Sequence, residues 1–100
     1  MEIVKGQTVT LYAHEIFASG DPASPIPADR LPIVWVNGNS DHDFVRLTPS
    51  SDGTSCVVVG GNELGGPANI TITDAKGLST ALALTNTEGE PTAIIVNDTP

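Results

Sequence analysis

The chain has one hundred residues, 39% of them hydrophobic and only 4% aromatic, which suits a single domain with an aliphatic core. Twelve acids against four bases leave a net charge of −8, so neither a nucleic-acid backbone nor an anionic membrane surface is a fitting partner. The lone cysteine excludes an internal disulfide, and no run approaches the length of a membrane-spanning helix.

Period-two alternation dominates, and no window sustains the 3.6-residue apolar spacing of a helix. QTVTLYA is the first strand, with Val9, Leu11 and Ala13 on one face and Thr8, Thr10 and Tyr12 on the other. Ile16 and Ala18 take the opposite parity, which predicts a bulge or bend near His14 and Glu15. SGDPASPIPADRLP is crowded with proline, so it reads as a stiff connection rather than a strand or helix.

PIVWVN comes next, apolar on both parities. Trp35, the only tryptophan, belongs at the centre of the core with Ile33 beside it. Val34 and Val36 then point outward, where a covering loop or a partner must hide them. DFVRL sets Val45 and Leu47 together, and a Pro-Ser-Ser-Asp-Gly turn leads into TSCVVV. Cys56 in that run reads as a small buried hydrophobe, since no base accompanies it.

ANITIT alternates cleanly, with Ala68, Ile70 and Ile72 inward. Asp74-Ala75-Lys76-Gly77 makes a hairpin turn into LSTALALT, whose Leu78, Leu82 and Leu84 share a face. After Glu88-Gly89-Glu90-Pro91, TAIIVN reads as one more short strand in a 92–100 tail. It either pairs with EIVK near the N-terminus and closes the domain's own sheet, or adds to a sheet edge on a partner. About seven to nine short strands at this spacing predict an all-β sandwich without a disulfide, a single domain over residues 1–100.

VKGQTVTLYA, IVWVNGNSD, VRLTPSSDGTSCVVVGG and GGPANITITDAKG together resemble the bacterial immunoglobulin-like (Big, group 2) domains of bacterial surface proteins and phage structural proteins. The matching positions are Gly6, Thr8, Val9, Leu11, Trp35, Asn39, Asp41, Gly53, Gly66, Ala68, Ile70 and Thr71, across most of residues 4–85. The long Pro-rich loop from Ser19 to Leu31 and the added TAIIVN segment depart from the pattern. The resemblance implies an immunoglobulin-like sandwich.

Asp41-His42-Asp43 is the most provocative cluster. Zinc wants three or four ligands, and the other histidine, His14, lies on a different strand. Calcium could use Asn39, Asp41 and Asp43, but the ordered register of a calcium loop is missing. A solvated loop is the favoured reading, and a metal-dependent enzyme built on His14, Asp41, His42 and Asp43 ranks last. No Gly-x-Ser-x-Gly elbow or phosphate-cradling loop occurs, so a non-enzymatic module without a cofactor is expected. The sequons at Asn69 and Asn97 read as chance.

MEIVKGQTV carries no basic-then-apolar leader, although the resembling domains work outside cells. Phage structural proteins reconcile the two, because they assemble in the host cytoplasm and act in the virion. A decoration or accessory protein on capsid or tail is therefore expected, with capsid or tail proteins as partners and host surface glycans as a further class. The alternative is an excised immunoglobulin-like spacer or weak glycan-binding module of a bacterial cell surface. Val34, Val36, Ile94, Ile95 and Val96 are the candidate partner interface.

Overall fold

The structure, a computed structural model, describes residues 1–99. It is an all-β sandwich of nine strands: β1 (Glu2–Val4), β2 (Thr8–Tyr12), β3 (Glu15–Ile16), β4 (Pro22–Ala23), β5 (Val34–Asn37), β6 (Val45–Pro49), β7 (Ser55–Gly60), β8 (Gly65–Thr73) and β9 (Ser79–Thr87). One sheet runs β1-β9-β8-β5 and the other β2-β7-β6, with β3 and β4 forming a two-stranded side hairpin. The two sheets of the sandwich face each other across the core, with the first strand lying along the last. All pairings between consecutive neighbours are antiparallel except β1 with β9, which is parallel.

Alternation decides which side chains meet. From β7, Cys56 and Val58 point inward, from β8, Ala68 and Ile70, and from β9, Leu84. With Ile3 of β1 and Val45 of β6 they form one buried cluster drawn from both sheets. Cys56 is fully buried, and that burial pushes its thiol pKa up, so it is a core hydrophobe as its setting predicts.

Trp35 is half-buried against one end of the cluster rather than at its centre, because its indole is drawn to a turn. Its Nε1 donates to the Gly53 carbonyl at 2.7 Å. Gly53 has φ +73°, and a Cβ there would collide with the Ile33 carbonyl, so only glycine lets this turn close on β5. The Asp52 carboxylate holds the turn by accepting from the Thr54 amide and hydroxyl and from Ser50 Oγ.

The bend after Tyr12 is present: the chain leaves the sheet there, and Glu15–Ile16 pairs with Pro22–Ala23. The Pro-rich connection is thus not wholly irregular. It contains β4 and a 3-10 turn at Ala28–Arg30. Leu78 departs from its expected face, lying exposed because it closes the hairpin turn rather than continuing the strand.

The largest correction concerns the tail. Residues 92–99 form no strand, so the expected extra strand within 92–100 is absent over its described part, and Pro100 lies outside the described residues. The strand EIV does close the domain's own sheet, but it pairs with β9 at Thr85, Asn86 and Thr87 instead of with TAIIVN. Ile3 explains the choice: joining β9 places it in the core at 2% exposure.

Candidate functional site

Of the Asp41-His42-Asp43 cluster, Asp41 and His42 stay together while Asp43 is taken up by other partners. Asp43 takes Arg46 in a two-pronged ion pair, Oδ1 accepting from Nε at 3.0 Å and Oδ2 from Nη2 at 2.8 Å. Its Oδ2 also accepts from the Asn62 amide at 3.0 Å. The Arg46 guanidinium first, then the Asn62 amide, holds the Asp43 carboxyl below its ordinary value. His42 pairs with Glu63, Nδ1 to Oε1 at 2.9 Å, keeps Nε2 3.7 Å from Asp41 Oδ2, and stacks on Phe44 at a centroid distance of 4.7 Å. The Glu63 contact raises the His42 pKa. Glu63 also accepts from the Asp43 amide, so these side chains lace the β5–β6 and β7–β8 connections together. Among the described residues, no group of three or more His, Cys, Asp or Glu side chains is placed to hold a metal ion.

Val34 and Val36 lie on the outer face of the four-stranded sheet, 50% and 54% exposed, and no loop among the described residues covers them. Across β8 they neighbour Thr73 and Thr71, and beyond those, on β9, Ser79 and Ala81. The result is a flat face of β-branched and small side chains. Ile94, Ile95 and Val96 stand elsewhere, on the arm beyond β9, at 92%, 84% and 92% exposure. The five predicted interface residues are therefore all exposed, in two separate places.

A groove that the sequence did not announce opens between the edges of β2 and β9, with a volume of about 620 Å³. Leu11, Ile33, Trp35, Ile72 and Leu82 make its apolar floor, while exposed Tyr12, His14 and Leu78 stand at its rim. Its origin is the shortness of β1. β9 has nine residues and β1 only three, so β1 covers one end of the β9 edge and leaves the other bare. That mismatch in run length was the one signal in the sequence, and it becomes readable only when β1 and β9 are known to be partners.

The groove has a charged end. Asp74 Oδ2 accepts from Arg30 Nη1 at 2.8 Å, and Arg30 Nε lies 3.7 Å from Glu15 Oε2. Asp74 Oδ1 accepts from the Lys76 and Leu78 amides, both at 2.9 Å, which caps the β8–β9 turn. Burial pushes the Asp74 carboxyl up, but Arg30, Glu15 and the two amides outweigh it and bring the group down to about 2. Glu15 moves the other way, raised by burial and then by the neighbouring Asp74. Chemically this end is a closed ion pair anchoring a turn.

One buried polar side chain escaped the sequence reading. Asn86, 1% exposed, sits on the inward parity of β9 and donates Nδ2 to the Gly61 carbonyl at 3.0 Å and the Glu63 carbonyl at 2.8 Å. Its Oδ1 has no hydrogen-bond partner among the described residues.

Comparison with known proteins yields no relative: no family model matches the chain, and no curated protein or solved structure matches it either.

Proposed function

We propose that the chain is a non-enzymatic structural module of a bacteriophage particle, a decoration or accessory protein seated on capsid or tail through protein contacts. The observation that carries this reading is the arm over residues 91–99. It leaves the sandwich as an exposed, uncharged and largely apolar run up to Asn97, with Ile94 and Val96 both 92% exposed on an otherwise acidic molecule. Contiguous apolar surface left in water marks a contact site, and an unpaired strand-like segment binds by adding to a sheet edge. The outer face at Val34 and Val36 supplies a second apolar patch. The resemblance to domains of phage structural proteins gives the setting: synthesis in the host cytoplasm and residence in the virion.

The test is localisation. Mass spectrometry of gradient-purified particles is expected to find the chain at a fixed ratio to the major capsid or tail subunit, and deletion of residues 91–99 is expected to remove it from them. Its absence from particles would overturn the reading. A second reading, a spacer or weak glycan-binding module at a bacterial surface, is favoured by Tyr12, 65% exposed at the rim of the groove that holds Trp35. Aromatic faces suit sugar rings, and binding on a glycan array that a Tyr12→Ala change removes would support it.

A further inference from the structure

We propose that residues 91–99 of one copy add as a strand to the bare edge of β9 in a second copy, seating Ile94 and Val96 in the groove over Trp35. The inference deepens the assembly reading, rests on it for the role of the arm, and names the arm's acceptor.

The acceptor is defined by main-chain geometry. On the side of β9 facing β1, the Thr85 amide donates to the Met1 carbonyl at 3.0 Å and the Thr87 carbonyl accepts from Lys5 at 2.8 Å. The Ala83 carbonyl accepts from the N-terminal ammonium at 3.2 Å. Main-chain groups alternate sides along a strand, so Ser79 and Ala81 aim their N–H and C=O the same way. Among the described residues no strand lies there, since β1 registers with Thr85–Thr87. Across the groove, β2 is likewise an edge strand, paired among the described residues with β7 alone. A bare edge beside an apolar groove is a template for an incoming strand.

The donor, residues 91–99, belongs to no strand of its own chain and is exposed throughout. Thr92, Ile94 and Val96 share one parity, and the proposed register at β9 sends that row toward Leu82 and Trp35. The other row, Ala93, Ile95 and Asn97, then continues the outer face that carries Ala81, Val34 and Val36.

The same chain's arm is poorly placed to do this. Only Glu88, Gly89 and Glu90 separate it from Thr87, and β1 occupies the stretch of edge along which it would fold back. The radius of gyration is 17.1 Å, against about 13 Å for a compact chain of this length, so the arm points away from the body. Charge favours a neutral contact as well. Two copies of net −8 repel, and Thr92–Asn97 carries no charge. Arm into groove is a head-to-tail contact, so each added copy leaves one arm and one groove free, giving chains or closed rings.

Sedimentation of the full chain with two variants tests this. Ile94→Asp spoils the arm, which lies outside the sandwich. Ala81→Pro removes an amide that faces the bare edge rather than β8. The parent chain is expected to gain mass with concentration, more so at high salt, and each variant alone to remain a monomer. Mixed together, the variants should form a one-to-one dimer, since one keeps its groove and the other its arm. Trp35, the only tryptophan, should shift to shorter emission wavelength on mixing. A synthetic peptide of residues 91–99 should produce the same shift in the Ile94→Asp chain, whether or not Ala81→Pro folds.

Association of Ile94→Asp equal to that of the parent would overturn the proposal. So would a monomeric parent at all concentrations, or a peptide that leaves Trp35 unchanged. Particles that still carry an Ile94→Asp chain while copies fail to pair would sink this inference and leave the assembly reading standing. Pairing copies that never appear on particles would do the reverse.

Discussion

At the scale of single residues, Asn86 carries more of the structure than its position in a run of small polar letters suggests. Threonines on either side of it and an outward Ala83 make the end of β9 look solvated. Its amide instead enters the core and ties the Gly61–Glu63 connection to the four-stranded sheet through two carbonyls. Gly60 makes room for it, because a Cβ there would press on the Val4 carbonyl and crowd Asn86 Oδ1 at 2.9 Å. Asn86→Ala leaves the Gly61 carbonyl without its donor in a buried setting and the Glu63 carbonyl without one in a part-buried setting. It is expected to cost about 1–3 kcal/mol, read as a lower urea midpoint at unchanged slope. An unchanged midpoint would mean that solvent reaches the carbonyls and that the loop is not fastened by this side chain. The inward parity shared with Leu82 and Leu84 was the available sign, but asparagine at one inward position is ordinarily read as the strand's wet end.

At the scale of elements, faces were legible and partners were not. Val9 and Leu11, Val45 and Leu47, and Ala68, Ile70 and Ile72 all lie where alternation put them, since burial of one face is a local property of a strand. Pairing is decided by distant residues. EIV and TAIIV are equally good short strands, and only the seat for Ile3 beside the core selects the first. The groove was hidden for the same reason, being a gap between two elements and not a pattern within one. A chain ending at Glu90 should therefore keep its fold. Its melting midpoint is expected to move by less than the roughly 4 °C that 1 kcal/mol produces at this size. Deletion of residues 1–4 strips the cover from one end of β9, removes Ile3 from the cluster and should lower the midpoint by more than that.

At the scale of the whole molecule, one charged cluster ties the side hairpin, the 3-10 turn and the β8–β9 turn into a single end of the sandwich. Glu15 comes from β3, Arg30 from the turn, and Asp74 from the hairpin, where the Ala75 amide also donates to the Arg30 carbonyl at 3.0 Å. Two carboxylates share one guanidinium there, and their side chains are only 13% and 2% exposed. The two titrations act in opposite directions. Asp74 falls from an ordinary 3.8 to about 2 on folding, so its contribution is present above 3.8 and is lost as pH drops through about 2. Glu15 is raised above 4.5, so the folded state holds its proton longer than the unfolded chain does, and stability declines as pH climbs from 4.5 through the folded value. Glu15→Gln keeps the shape and removes the second carboxylate. It is expected to raise the calorimetric melting midpoint at pH 7 and to leave it unchanged well below pH 4.5, where Glu15 is protonated in both states. Asp74→Asn is expected to do the opposite, lowering the midpoint at pH 7 and flattening its fall toward pH 2. A Glu15→Gln protein that melts lower at neutral pH would show that the Arg30–Glu15 attraction outweighs the repulsion between the carboxylates, and the ion pair would then be a triad rather than a pair with a crowded neighbour.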